Sequence, residues 1–148
     1  MARSKAQKEC PNKLSIMPME KEQQKTILVI EDDLDVLSVI VKHLEHAGYH
    51  VITATDGLEG LKQLKSGGYD LVLTDIVMPY VSGTGVVTAL KEQNPKIPVI
   101  AMTGYGQEPE TVAMERKADL VLSKPVKMSH LKKHILKLLN PRQKVSRA

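Results

Sequence analysis

The sequence contains no tryptophan and no phenylalanine, and its only large aromatic side chains are four tyrosines. Proteins that bind single-stranded nucleic acid by base stacking need several aromatic side chains on one surface, so this composition argues against that class. Cys10 is the only cysteine, which excludes an intrachain disulfide and favours a reducing, cytoplasmic location. No apolar run approaches the ~18 residues of a membrane span, and no signal-peptide pattern is present, so no membrane partner is expected.

The formal net charge of the 148 residues is +4, which by itself favours an anionic partner. Residues 1–25 hold six basic and three acidic residues, and residues 140–148 hold three basic and no acidic residues. The remainder, 26–139, therefore carries 12 basic and 14 acidic residues. We expect a flexible basic leader (1–25), one folded domain (26–139) and a flexible basic tail (140–148). Because the positive charge lies at the ends and no helix-turn-helix is predicted, specific nucleic-acid binding is not expected.

Short apolar runs alternate with helical patterns along residues 26–139. The runs predict five strands, at 26–30, 50–54, 70–74, 98–102 and 118–122. Helices are predicted at 34–47, from the Asp56 cap to Ser66, at 83–93, at 108–117, and from a Ser129 cap to 139. The strands are nearly continuous apolar runs, which is typical of a parallel sheet buried on both faces. The fold class is therefore α/β, with five strands and five helices.

Three of these helices carry apolar residues at helical spacing, which we expect to face the core. The expected buried stripes are Leu37, Ile40, Val41 and Leu44 in the first helix, Leu58, Leu61 and Leu64 in the second, and Leu131, Ile135, Leu138 and Leu139 in the last.

Charged and hydroxyl side chains stand directly behind four of the predicted strands: Glu31, Asp32 and Asp33, then Asp75, then Thr103, then Lys124. Taken singly, acids before a helix are explained by its N-terminal dipole. Taken together, they meet at the carboxyl edge of a parallel sheet, where α/β proteins bind ligands. Clustered carboxylates repel one another unless a cation is present, and Mg²⁺ prefers oxygen ligands. A lysine and a hydroxyl at the same place indicate a phosphoryl group as a further component.

Four segments resemble the receiver domain of two-component response regulators. They are Ile-Leu-Val-Ile-Glu-Asp-Asp at 27–33, Asp-Leu-Val-Leu-Thr-Asp-Ile-Val-Met-Pro at 70–79, Val-Ile-Ala-Met-Thr-Gly at 99–104 and Ala-Asp-Leu-Val-Leu-Ser-Lys-Pro at 118–125. Their order and spacing match over about residues 26–139. The resemblance implies a flavodoxin-like, doubly wound sheet with strand order 2-1-3-4-5.

The resemblance also implies roles for individual residues. Asp75 would be the phosphoacceptor and a Mg²⁺ ligand, together with Asp32, the Val77 backbone carbonyl, and Glu31 acting directly or through water. Thr103 would be the switch hydroxyl, and Lys124 would pair with Asp75 and then with the phosphoryl group. The Lys124–Pro125 peptide would be cis.

This sequence departs from the family pattern at two places. The acidic pair is Glu31–Asp32, where two aspartates are commonest. Val121 stands where the family often has a tyrosine or phenylalanine that changes rotamer on activation. Either the aromatic half of the switch is missing, or another residue such as Tyr105 replaces it.

The implied function is a phosphorylation-activated signalling switch, which catalyses only its own phosphoryl transfer and slow dephosphorylation. Its donor would be a sensor histidine kinase or a histidine phosphotransfer protein, and its output would be contacts with a downstream protein. A weak homodimer through the fourth helix, fifth strand and last helix would be possible. One alternative is an aspartyl-phosphate-type hydrolase, which needs a second acid where Val77 stands. The other is a phosphorylation-independent scaffold whose tails bind anionic partners.

Overall fold

The computed structural model of the protein describes residues 24–104 and 117–140, which contain five strands in one parallel sheet. The strands are β1 (Thr26–Ile30), β2 (His50–Ala54), β3 (Leu71–Asp75), β4 (Val99–Thr103) and β5 (Leu120–Ser123). Their order is β2-β1-β3-β4-β5, which confirms the predicted topology. Relative to the predicted bounds, β3 and β4 begin and end one residue later, and β5 covers four residues.

Helices connect the first four strands, another helix follows β5, and together they cover both faces of the sheet. They are α1 (Leu34–His46), α2 (Gly57–Ser66), α3 (Gly83–Gln93) and α4 (Met128–Leu139). These are four of the five predicted helices. The fifth, at 108–117, lies outside the described residues except for its last residue, Lys117.

Two hydrophobic clusters lie on opposite faces of the sheet. On one face, Leu64 of α2 and Val86 and Leu90 of α3 pack on β-strand side chains. On the other face, α1 and α4 contribute Leu37, Ile40, Leu44, Leu131 and Ile135. Every residue of β3 and β4 is buried, as the continuous apolar runs predicted. The arrangement is therefore the doubly wound α/β fold.

The prediction that Leu58 is buried is wrong, because 49% of this side chain is exposed. Gly57 and Gly60 lie on the buried side of α2 instead. A Cβ at Gly60 would lie 2.8 Å from Ile30 Cδ1, and one at Gly57 would overlap the carbonyl of Val81. The helix lies so close to its neighbours that only glycine fits at these two positions, and Leu58 therefore points outward.

The prediction that Ser129 caps the last helix is wrong. The α4 helix begins at Met128, its N-cap is Lys127, and no side chain makes the capping hydrogen bond. Ser129 lies inside the first turn. The other predicted cap residue, Asp56, is confirmed, because its Oδ1 accepts the Glu59 N–H at 2.8 Å.

Two aspartates fix the edge of the sheet at which the strands begin. Asp70 Oδ2 accepts the N–H of Thr26, the first residue of β1, at 2.8 Å. Asp119 Oδ2 accepts the N–H of Val99, the first residue of β4, at 2.7 Å and also Lys91 Nζ at 3.0 Å. Each acid lies just before its own strand and holds the neighbouring strand in register.

Candidate functional site

The sheet register brings the ends of β1, β3, β4 and β5 to one edge. Ile30 pairs with Thr74, Asp75 with Met102, and Thr103 with Ser123. The residues that end or directly follow these strands are therefore neighbours, as the sequence predicted. A backbone hydrogen bond joins two of these residues directly, because the Lys124 N–H donates to the Thr103 carbonyl at 2.7 Å.

Three carboxylates meet at this edge. Glu31, Asp32 and Asp75 each place one carboxylate oxygen within 4.8 Å of the others. Glu31 is fully buried and Asp75 is 6% exposed, whereas Asp32 is open to solvent. Burial raises the pKa of Glu31, and the nearby charge of Asp75 adds to this, although the Asp33 N–H and Lys124 oppose it. The cluster has the oxygen donors that a hard divalent cation requires, and it is compatible with a Mg²⁺ site.

Lys124 joins two of these acids. Its Nζ donates to Glu31 Oε1 at 3.1 Å and to Asp75 Oδ2 at 3.1 Å. Burial alone would lower the pKa of Lys124, but the hydrogen bonds and charges of the two carboxylates outweigh burial and raise it. The lysine therefore stays protonated between the acids. The Lys124–Pro125 peptide is cis, as expected.

The Asp75 carboxylate is held from both sides. Its Oδ1 accepts the Ile76 N–H at 2.9 Å, while Oδ2 faces Lys124. The loop after it is fixed by Gly83, whose N–H donates to the Ile76 carbonyl at 2.7 Å. A Cβ at Gly83 would overlap the Asp75 carbonyl, so α3 must begin with glycine to pack this closely. The Val77 side chain on this loop is 53% exposed.

Asp33 belongs to the helix rather than to the acidic cluster. Its Oδ1 accepts the N–H groups of Asp35 at 3.0 Å and Val36 at 3.2 Å, which makes it the N-cap of α1. The Asp33 N–H in turn donates to Glu31 Oε2 at 3.0 Å. The three consecutive acids thus divide between two tasks, which the sequence alone left open.

The predicted switch residues lie in different surroundings. Thr103 is 2% exposed at the end of β4, beside the site. Val121 pairs with Ala101 and packs, partly buried, on the α2–α3 side of the sheet. Tyr105 lies outside the described residues.

A cleft of about 750 Å³ opens beside Asp75 and Lys124, and no sequence pattern predicted it directly. Asp35 and these two residues supply its charged groups. The other lining residues are mainly apolar and come from α1, from the ends of β3 and β4, and from the segment that leads into α4: Val36, Val39, Ile40, Val77, Met102, Gly104, Pro125, Val126 and Met128. The helical spacing of Val36, Val39 and Ile40 could have indicated an apolar wall of this cleft, but the same spacing is typical of helix residues that pack in the core.

Fold and site together define an α/β protein with a lysine-bridged acidic site at the carboxyl edge of a parallel sheet. The family model described as the response regulator receiver domain matches residues 27–136. The chain therefore belongs to the response regulator receiver domain family. Members of this family are signalling switches rather than conventional enzymes.

Individual relatives agree with this assignment. The response regulator receiver protein CpdR of Brucella abortus is 36% identical over 120 residues, which are 78% of this chain and 97% of CpdR. The chain spans about half the length of other curated relatives, such as the transcriptional regulatory protein PrrA of Mycobacterium tuberculosis, which is 35% identical over 117 residues.

Solved structures show the same fold. The CheY-like receiver domain protein from Methanospirillum hungatei superposes with a TM-score of 0.77 at 30% identity, covering 82% of this chain and 98% of that one. The response regulator protein TrrA of Thermotoga maritima, solved in complex with Mg²⁺-BeF, gives a TM-score of 0.72 at 32% identity, covering 78% and 99%. Within the ranges described for the present chain, no helix combines the length and hydropathy needed to cross a bilayer.

Proposed function

We propose that the protein is a phosphorylation-activated switch whose Asp75 accepts a phosphoryl group from a histidine of a sensor kinase or phosphotransfer protein. The observation that carries this proposal is the position of the Asp75 carboxylate, 3.1 Å from Lys124 Nζ and within the acidic cluster with Glu31 and Asp32. A carboxylate is a modest nucleophile, so it needs a fixed orientation and a reactive donor. Its two hydrogen bonds supply the orientation.

In the proposed step an Asp75 carboxylate oxygen attacks the phosphorus of a phosphohistidine. The new O–P bond forms as the N–P bond breaks, and the imidazole leaves with the electron pair of the broken bond. Negative charge spreads over the equatorial phosphoryl oxygens in the transition state. Lys124, which already faces Asp75 Oδ2, is placed to neutralise that charge. Attack of water on the phosphorus of the acyl phosphate would return Asp75 to its carboxylate form and end the signal.

Mg²⁺ fits the donor set of this site, because the oxygens of Glu31, Asp32 and Asp75 lie within 4.8 Å of one another. We propose Asp32, Asp75 and the Val77 carbonyl as its protein ligands, with Glu31 binding directly or through water. When bound, Mg²⁺ would neutralise charge on the phosphoryl group. The Mg²⁺-BeF complex of TrrA supports this proposal by similarity.

The output would follow from Thr103 and the surface near it. A phosphoryl group on Asp75 adds charge and acceptor oxygens, towards which the Thr103 hydroxyl would turn. Val121 has no ring that could change its position with this movement, so the switch would rely on Thr103 alone or on Thr103 with another residue such as Tyr105. The altered surface would then bind a downstream protein. The hydrolase alternative gains no support from the site, because Val77 occupies the position of the required second acid.

The direct test is incubation with Mg²⁺ and phosphoramidate, a small donor with an N–P bond, followed by intact-mass spectrometry. We expect the wild-type chain to gain one phosphoryl group and Asp75→Asn to gain none. Asp33→Asn is the matched control, because asparagine also caps helices well and Asp33 lies outside the cluster. It should gain the group as the wild type does. Equal labelling of Asp75→Asn and the wild type, or no labelling of the wild type, would contradict the proposal.

A further inference from the structure

The cleft beside Asp75 has apolar walls that are partly open to solvent. Val39 of α1 is 49% exposed, and Val77 of the loop after Asp75 is 53% exposed. The volume of about 750 Å³ lies within the ~300–1,000 Å³ that is typical of ligand pockets. An exposed apolar surface of this kind marks a place where another apolar group binds.

Acidic side chains outnumber basic ones around the cleft. Asp35, Asp75 and Lys124 supply the charged groups of its lining. Glu31 and Asp32 belong to the acidic cluster with Asp75. These four carboxylates and one lysine give a formal charge of −3. A segment that covers the cleft therefore gains from carrying basic residues beside its apolar ones, because complementary charges favour association.

The 23 residues that precede Gln24 contain a segment with this composition. Their apolar side chains stand together in Leu-Ser-Ile-Met-Pro-Met at 14–19, which we call the apolar leader segment. Residues 1–13, which come before it, hold four basic residues and one acidic residue, a formal charge of +3. The leader thus complements the cleft both in apolar character and in the sign of its charge.

The place where the leader enters the fold puts the cleft within its reach. Gln24 Nε2 donates to the carbonyl of Gly48, directly after α1, at 3.0 Å. From this end of α1 to its start is about 20 Å, at ~1.5 Å for each of its 13 residues, and the cleft lies along its first two turns. An extended chain covers ~3.3 Å per residue, so Met19 reaches about 17 Å from Gln24 and Leu14 about 33 Å. The apolar leader segment therefore spans the required distance.

We propose that the apolar leader segment docks in the cleft of its own chain and covers Asp75 against the phosphodonor. In this arrangement the chain runs from Gln24 along α1 towards the carboxyl edge of the sheet. That direction brings residues 1–13, with their positive charge, to the acidic cluster. Docking of the segment lowers the fraction of chains that can accept a phosphoryl group.

The segment of the same chain is favoured over a separate partner because it is tethered to the site. A short linker gives a tethered group an effective concentration in the millimolar range, which a free partner rarely reaches. The inference rests on the proposed function, since it concerns the regulation of Asp75. Its test therefore includes a measurement that needs no phosphoryl transfer.

The first measurement locates the leader by nuclear magnetic resonance. Cys10 is the only cysteine and lies four residues before the apolar leader segment, so a nitroxide attached to it reports on nearby nuclei. In the isotope-labelled full chain, the nitroxide should broaden the amide signal of Val39 in the cleft. The signal of Thr88, on α3 at the other face of the sheet, should stay sharp. The variant L14Q/I16Q should lose the broadening, because its segment no longer fits apolar walls.

Two outcomes of this measurement would overturn the proposal. One is a Val39 signal that is no more broadened than that of Thr88. The other comes from a mixture of nitroxide-bearing chains without isotope and isotope-labelled chains without nitroxide. We expect Val39 to stay sharp in the mixture, and broadening there would assign the cleft to the leader of a second copy.

The second measurement is the rate at which phosphoramidate and Mg²⁺ label the full chain, followed by mass spectrometry. We expect L14Q/I16Q to be labelled at least about threefold faster than the wild type, because more chains then expose Asp75. Val39→Gln should give the same acceleration from the side of the cleft. Leu58→Gln, which replaces an exposed apolar residue of α2, is the matched control and should keep the wild-type rate.

Equal labelling rates of the wild type and L14Q/I16Q would overturn the regulation of Asp75 by the leader. An equal acceleration by Leu58→Gln would overturn it too, because the effect would then not be specific to the cleft. A complete lack of labelling in every chain would instead contradict the proposed function, and the nitroxide measurement then decides the docking by itself.

Discussion

Glu31 and Lys124 form an ion pair across the carboxyl edge of the sheet, with Lys124 Nζ 3.1 Å from Glu31 Oε1. The glutamate side chain is fully buried, while a quarter of the lysine side chain is exposed. The same Nζ also lies 3.1 Å from Asp75 Oδ2. One cation thus balances two carboxylates that would otherwise repel each other.

Replacing Lys124 by glutamine should lower stability as well as phosphoryl transfer. The change leaves Glu31 and Asp75 without their cation, and we expect the free energy of unfolding to fall by about 1–3 kcal/mol. This loss is smaller than that for a fully buried ion pair, because the lysine side chain is partly exposed to solvent. Mg²⁺ should recover part of this loss. Urea unfolding with and without Mg²⁺ measures both effects. Lys127→Gln, at an exposed position without a recorded ion pair, is the control. A variant as stable as the wild type without Mg²⁺ would show that Lys124 does not balance the acids.

Binding of Mg²⁺ should raise the melting temperature of the wild-type chain through the acidic cluster. A ligand that binds only the folded state stabilises it by about 2.7 kcal/mol at a hundred times its Kd. Asp32→Asn should remove most of this effect, whereas Asp33→Asn should keep it because Asp33 caps α1. Thermal melts in MgCl₂, compared with NaCl of equal ionic strength, measure the difference. An equal rise in NaCl would mean that screening, rather than a bound ion, stabilises the fold.

Stability should fall above about pH 10, partly because of Tyr69. Burial raises the pKa of Tyr69, whose hydroxyl donates to the Leu64 carbonyl at 2.9 Å. The unfolded chain therefore loses this proton first, and the tyrosine's contribution, complete below about pH 10, declines as the pH rises towards the folded pKa. Tyr69→Phe should be less stable at neutral pH by about 1 kcal/mol, because the hydrogen bond is lost.

The same variant should also lose stability less steeply above about pH 10 than the wild type. Denaturant unfolding between neutral and alkaline pH gives both values. Tyr80→Phe is the matched control, since Tyr80 is 81% exposed. A wild-type slope that Tyr69→Phe leaves unchanged would assign the alkaline loss to other groups.

The sheet and the location of its site were predictable because both follow from local patterns. Continuous apolar runs identified the strands, and residues that directly follow parallel strands in sequence must lie at the same edge of the sheet. The bounds of β1 and β2 and the convergence of Glu31, Asp75 and Lys124 are confirmed in this way.

The errors arose where the answer depends on distances between elements. Helical spacing treats Leu58 as a core residue, but the contact of Gly60 with Ile30 turns α2 so that Leu58 points outward. Composition likewise does not tell which of three adjacent acids join Asp75 in the acidic cluster. The hydrogen bonds of Asp33 decide this, because they commit its carboxylate to the start of α1.

The two strand-holding acids, Asp70 and Asp119, have a consequence for how the protein can vary. A slip of one residue in a parallel pair would turn every side chain to the opposite face and carry Asp75 away from Lys124. These acids hold neighbouring strands by hydrogen bonds of 2.8 and 2.7 Å at the far end of the sheet from the site. The alignment of the strands is thus secured at the edge of the sheet opposite the acidic cluster. An exposed residue of the loop after Asp75, such as Val77, can therefore change without disturbing the alignment of the strands.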